Sequence, residues 1–233
     1  MAGAQPRDLT DADIQGIQLA QKILAQQPDQ DVTNTGKLQI RNANGTLKEV
    51  PVKFTVTVTP TNWSCVYGAT VTNQNGLASN EVLSIVHDTS QTNVHETDIS
   101  HTGGFFDFNG SKSKMTEAFA GSDFWVCDLT LRFLSWTDQK IIKKEFMRGR
   151  GCMVLESKNS LLALGGYSRV DSWIDEETLG IVHAVAYDAD GNLLKVFDPK
   201  SFKKVNGQWE LQDMEIRNVQ TGSRTRIEFD LGK

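Results

Sequence analysis

No stretch of the 233 residues approaches the roughly 18 consecutive apolar positions that a membrane-spanning helix needs. An excess of positive charge is missing too. The 24 Lys and Arg stand against 29 Asp and Glu, a net charge of −5, which argues against nucleic acid as a partner. Cysteine is scarce: Cys65, Cys127 and Cys152 are too few for a disulfide scaffold and too widely spaced for a zinc knuckle. At most one bridge can form, and in an oxidising compartment Cys127–Cys152 is the preferred pair. Met1 to Arg7 lacks the basic and apolar regions of a signal peptide, so the protein is either cytosolic or has had such a peptide removed. The remaining composition, 39% hydrophobic and 23% charged, is that of a folded chain long enough to bury a core. Its acid excess is local, with 3 basic and 9 acidic residues between positions 61 and 138, and reads first as a solvated face.

The apolar residues repeat with two periods. Thr10 can cap a helix over 9–27, with Asp11 and Asp13 at its positive end and Ile14, Ile17, Leu19, Ala20, Ile23 and Leu24 as an apolar stripe. Beyond it the period falls to two: Phe54, Val56 and Val58 alternate with polar residues, as do Trp63, Cys65 and Tyr67, and Ile227, Phe229 and Leu231. Asn44-Gly45, Asn75-Gly76, Asn109-Gly110, Asp190-Gly191 and Asn206-Gly207 lie between such runs and supply the positive-φ positions of tight hairpins. The expected architecture is mainly β, an α+β antiparallel meander of about 10–12 strands forming one domain over 1–233. Segment 114–136, with Ser122 as a cap, reads as two short helices between the two β halves. A sheet that wide cannot bury its apolar face under two helices unless it curls, so a barrel or half-barrel lidded by those helices, with an apolar cavity, is expected.

Catalytic patterns are absent. His95-Glu96 is followed by a histidine at 101 rather than 99, which breaks the helical zinc motif, and the Asp188-Ala-Asp190-Gly191 run lacks the later ligands of a calcium loop. Gly104 to Gly110 misses the phosphate-binding loop, and Gly121-Ser122-Asp123 is not a nucleophile elbow. No metal site, cofactor or enzymatic activity is therefore expected. His183, alternating with Ile181 and Val185, reads as a core or cavity-wall histidine, and a carboxylate beside it would be the one place to look for catalysis. Lys140, Lys143, Lys144, Arg148 and Arg150 form the densest basic stretch, either the wet face of a hairpin or a docking patch for anionic headgroups or an acidic partner.

The run Phe119-Ala-Gly121-Ser122-Asp123-Phe124-Trp-Val-Cys-Asp128-Leu129 resembles the F-x-G-S-D-F-x-x-x-D-L motif of LolA-like outer-membrane lipoprotein-sorting proteins, in their uncharacterised branch. Tyr167-Ser-Arg-Val-Asp-Ser-Trp173-Ile-Asp175 and Tyr187-Asp-Ala-Asp190-Gly191-Asn-Leu-Leu-Lys195 are similar to two further runs of that family. The likeness covers 119–233 well and 35–118 by pattern only. It implies a half-closed barrel in the periplasm, with a trimmed signal peptide, that carries lipoprotein acyl chains or another apolar ligand. Phe124, Leu129, Phe133 and Trp136 would line the cavity from the lid, opposite Phe54, Val56, Trp63, Ile227 and Phe229. The alternative is an interaction module of an envelope complex that binds no lipid.

Overall fold

The computed structural model describes residues 8–72, 75–88, 95–102, 115–160, 166–205 and 208–231. Helix α1 (Asp11–Leu24) is opened by a reciprocal cap in which the Asp13 amide donates to Thr10 Oγ1 and the Asp13 carboxylate accepts the Thr10 amide at 2.8 Å. It is shorter than the expected 9–27, ending at a cap on Ala25. Its seating is set by Gly16, where a Cβ would stand 2.5 Å from the Lys140 amide nitrogen. Backbone therefore packs on backbone there, and the stripe turns so that Leu19, Ala20 and Ile23 are buried while Ile14 faces solvent.

All strands pair antiparallel in one continuous sheet. The first group is β1 (Val32–Arg41), β2 (Leu47–Val58), β3 (Asn62–Thr72), β4 (Ala78–Asp88) and β5 (His95–Thr102). The second is β6 (Asp138–Met147), β7 (Arg150–Lys158), β8 (Arg169–Asp175), β9 (Ile181–Tyr187), β10 (Leu193–Val205), β11 (Gln208–Asn218) and β12 (Arg224–Phe229). The spatial order is β5-β4-β3-β2-β1-β12-β11-β10-β9-β8-β7-β6, so the twelve strands among the described residues form two meanders joined where β1 meets β12. Gly36 makes that seam possible, because a Cβ on it would lie 2.1 Å from the Glu228 carbonyl oxygen. Hairpin turns fall where expected at Gly45 (φ 85°) and Gly191 (φ 81°). The Asn109-Gly110 and Asn206-Gly207 turns, the Gly104–Gly110 run and the side chains of His95 and His101 lie outside the described residues.

This order makes β5 and β6 the two edges, some 50 Å apart along the sheet at about 4.8 Å per strand. Between them in the chain, residues 115–137 pack across one face of the sheet. They make three short helical pieces, Phe119–Gly121, α2 (Val126–Leu129) and Arg132–Ser135. Ser122 is the N-cap of none of them: its amide closes the Phe119–Gly121 turn on the Phe119 carbonyl and its hydroxyl accepts the Phe124 amide at 3.1 Å, while Asp128 Oδ2 accepts the Trp125 amide at the start of α2.

Two core clusters lie beneath the crossing segment. One packs Phe119, Phe124 and Val126 on Leu38, Val50, Leu83, Ile216 and Ile227. The other packs Phe133, Leu134 and α1 on Leu155, Val170, Ile174 and Ala184. All three cysteines are free thiols, so the Cys127–Cys152 pair preferred for an oxidising compartment is not bridged. Cys127 sits on α2 within the second cluster, whereas Cys152 sits on β7, where alternation sets it opposite to Met153 and Leu155, which pack into that cluster. The sheet stands between the two thiols.

Candidate ligand pocket

The crossing segment is pinned to the sheet strand by strand. At its start the Ala120 amide donates to Glu81 on β4 at 2.7 Å. Next, Asp123 accepts the Thr225 hydroxyl of β12 at 2.8 Å, and its amide donates back to Thr225 Oγ1. Asp128 then meets Lys195 of β10 at 3.0 Å. Finally, the Phe133 and Trp136 carbonyls accept from Gln139, which β7 holds through Ser157. The polar residues of the motif that begins at Phe119 are thus rivets of a strap.

Lys195 is the least ordinary of these. It is 1% exposed, and its ammonium donates to the Asp123 carbonyl at 2.7 Å and to Asp128, while lying 3.6 Å above the Trp125 ring. Tyr167, stacked on Trp125 at 5.0 Å, donates its hydroxyl to the other Asp128 oxygen at 2.7 Å. Burial pulls the Lys195 ammonium below its usual pKa, and Asp128 opposes that shift. Burial pushes the Cys127 thiol and the Tyr167 phenol upward, so both stay neutral. Cys65, on β3, is likewise pushed up to about 12 by burial.

Beside this cluster the strap and the sheet part around a pocket of about 780 Å³. The space has a sequence cause. β9 lines it with Ile181, Val182, Ala184, Val185 and Ala186, and its two alanines leave space beneath the bulky Phe124, Leu129 and Phe133. Phe197, Met214, Ile216 and Phe229 from β10–β12 and Tyr67 from β3 complete an apolar wall. Arg150, Asp175, Lys200 and Phe202 also border it.

Of the residues expected at a cavity, Phe124, Leu129, Phe133 and Phe229 line this pocket. Phe54 stands behind the wall, its ring 4.7 Å from Tyr67 and 5.9 Å from Phe229. Ile227 and Val56 are buried in the sheet's core, Trp136 packs edge-on against Phe133, and Trp63 stacks on His87 at 3.6 Å. The five cations of the basic stretch do not form one patch. Lys143 pairs with Glu145, Lys144 with Glu176, Arg148 with Asp198 and Arg150 with Asp175, while Lys140 lies half-buried across from Glu156. His183 does have a carboxylate neighbour, Asp198 at 2.7 Å. It does not line the pocket, although Ile181 and Val185, with which it alternates, do, a correction to the cavity-wall reading. Among the described residues no group of three or more His, Cys, Asp and Glu could hold a metal ion.

Sequence reasoning passed over Lys195 and Tyr167 as site residues. A usable signal existed: Lys195 occupies an inward register on a strand whose next inward residue is Phe197, and a lone cation in an apolar slot implies a buried partner.

A sequence model of a family of uncharacterized proteins matches residues 109–231. The chain belongs to this family. The matched span holds the whole described strap and β6–β12, including Asp123, Asp128, Tyr167 and Lys195. Among solved structures, a DUF1329 family protein from Desulfovibrio piger is similar with a TM-score of 0.69 at 18% identity, covering 96% of this chain and 95% of that one. A putative outer membrane lipoprotein-sorting protein domain from Vibrio parahaemolyticus gives 0.66 at 17%, covering 95% and 94%. A LolA superfamily protein from Nitrosomonas europaea gives 0.58 at 11%, covering 95% and 92%. At these identities the likeness establishes a shared fold. No curated protein matches the chain. Among the described residues, no helix is long and apolar enough to cross a membrane.

Proposed function

We propose that this family member is a non-enzymatic periplasmic carrier that shelters an acyl chain of a lipoprotein, or another apolar ligand, between strap and sheet. In this reading the sheet curls as a half-closed barrel and the strap is its lid. The observation that carries it is the pocket of about 780 Å³, walled by Phe124, Leu129, Phe133, Ala184, Met214 and Phe229. Pockets of roughly 300–1,000 Å³ hold small organic ligands. An acyl chain gains about 0.8 kcal/mol for each methylene buried, so a long chain can be retained without covalent chemistry. The names of two similar structures, a lipoprotein-sorting domain and a LolA superfamily protein, point the same way.

Native mass spectrometry after mild purification, followed by solvent extraction, tests the proposal. A co-purified lipid lost in Ala184→Phe, which fills the pocket, supports it. An empty protein that takes up no apolar fluorescent probe overturns it.

The second reading, docking of an envelope partner on the β6–β7 hairpin, draws on Phe146, which is 83% exposed beside Lys143 and Lys144. It expects charge reversal at those two lysines to abolish partner pull-down while leaving lipid binding intact.

A further inference from the structure

The charges bordering the pocket cancel pairwise. Among its described lining residues the cations are Arg150, Lys195 and Lys200, and the carboxylates are Asp128 and Asp175. Lys195 meets Asp128 at 3.0 Å, Arg150 meets Asp175 at 2.5 Å, and Lys200 meets Glu215 at 3.2 Å. The hydroxyls beside them are engaged as well, since Tyr167 donates to Asp128 and Thr178 donates to Asp175. The two Asp128 oxygens are taken, one by Tyr167 and the other by the Trp125 amide and Lys195. A charged head group pushed into this space would lose its hydration and meet ions already neutralised by their neighbours. Such a group is penalised heavily unless it gains a partner.

Resting on the carrier reading above, we infer that the pocket selects uncharged occupants: it takes acyl chains carried as esters or amides, or neutral alkyl compounds, and discriminates against free fatty-acid anions and alkyl cations. The Asp128–Lys195 pair is the device. Its cation would hold a carboxylate if Asp128 did not already neutralise it, so the carboxylate on α2 acts as the filter. The discrimination is by exclusion, because neither the apolar walls nor the neutralised ions offer a charged head group a partner in place of its water.

The test is displacement of the neutral probe N-phenyl-1-naphthylamine at pH 8 by three twelve-carbon ligands: dodecan-1-ol, dodecanoate and dodecyltrimethylammonium. Dodecanol should displace the probe at least tenfold more tightly than either ion. In Asp128→Asn, checked for folding by circular dichroism, the unbalanced Lys195 should shift the dodecanoate-to-dodecanol ratio toward dodecanoate by at least tenfold. In Lys195→Met the unbalanced Asp128 should shift the ratio toward dodecyltrimethylammonium, and this variant carries the test should the first fail to fold. Dodecanoate matching dodecanol in the unaltered protein, with the probe bound, overturns the charge rule and leaves the carrier reading standing. A probe that does not bind at all overturns the carrier reading, and the charge rule falls with it.

Discussion

Changing Asp128 to Asn should weaken the fold more than any surface substitution, because it strands a buried ammonium. Lys195 is 1% exposed and 3.0 Å from Asp128 Oδ2, and its other partners are the Asp123 carbonyl and the Trp125 ring. Removing one member of a buried pair costs about 3–5 kcal/mol, since the survivor keeps its desolvation penalty without the attraction. The asparagine can still accept the Trp125 amide, so the loss belongs to the charge. Lys195→Met alone leaves Asp128 with two hydrogen-bond donors and some solvent, and should cost about 1–3 kcal/mol. The double variant removes both charges and should be more stable than Asp128→Asn alone, with a coupling of about 2 kcal/mol or more. Urea unfolding followed by circular dichroism measures this. The single change should lower the midpoint by about 1 M or more, and adding Lys195→Met should restore part of it. Single effects that sum to the double within about 0.5 kcal/mol would refute the strap-and-rivet account of this pair.

Other outcomes follow from the same geometry. Gly16→Ala should lose about 1–3 kcal/mol in thermal unfolding, because its Cβ would sit 2.5 Å from backbone on β6 and drive α1 off the sheet despite the better helix propensity. Asp171, on β8, has its pKa raised by burial, so its charged form costs stability at neutral pH. That cost fades as pH falls through the folded pKa toward the unfolded value near 3.9, so Asp171→Asn should be the more stable protein at pH 7 in urea titrations and lose that lead at about pH 4 or below. Thiol titration in denaturant should count three free cysteines, and in native buffer Cys127 should react slowest, its thiol buried and held neutral. A Cys127–Cys152 crosslink on mass mapping would contradict the sheet lying between them.

Much of the sheet was readable along the chain. Alternation at Phe54, Val56 and Val58 reports a one-sided strand from neighbouring residues alone, and Asn44-Gly45 and Asp190-Gly191 mark hairpins because few other residues accept positive φ. Thr10 and Asp13 are three residues apart, so their cap is also a local signal. The strap residues were legible as a motif but not as a mechanism. Asp128 caps α2 through a contact three residues away, while its partner Lys195 lies 67 residues onward on a strand whose place in the sheet no local pattern reveals. The rotation of α1 is not legible in its own residues for a related reason. Its apolar stripe suggested a face, but Gly16 allowed a closer approach than the larger side chains, and Ile14 was left outside.

Interactions between residues close along the chain account for the antiparallel strands, most of the turns between them, the capped amphipathic helix and the aromatic-rich break in the middle. Long-range pairing is what closes β1 onto β12, makes β5 and β6 opposite edges and lays residues 115–137 across the sheet as a strap. The pocket is a product of that crossing. Its space comes from small residues on β9 lying beneath large ones on the strap, and its neutrality comes from ions brought together across the fold. Periodicity records which side of an element is buried. It carries no information about which distant element arrives to bury it.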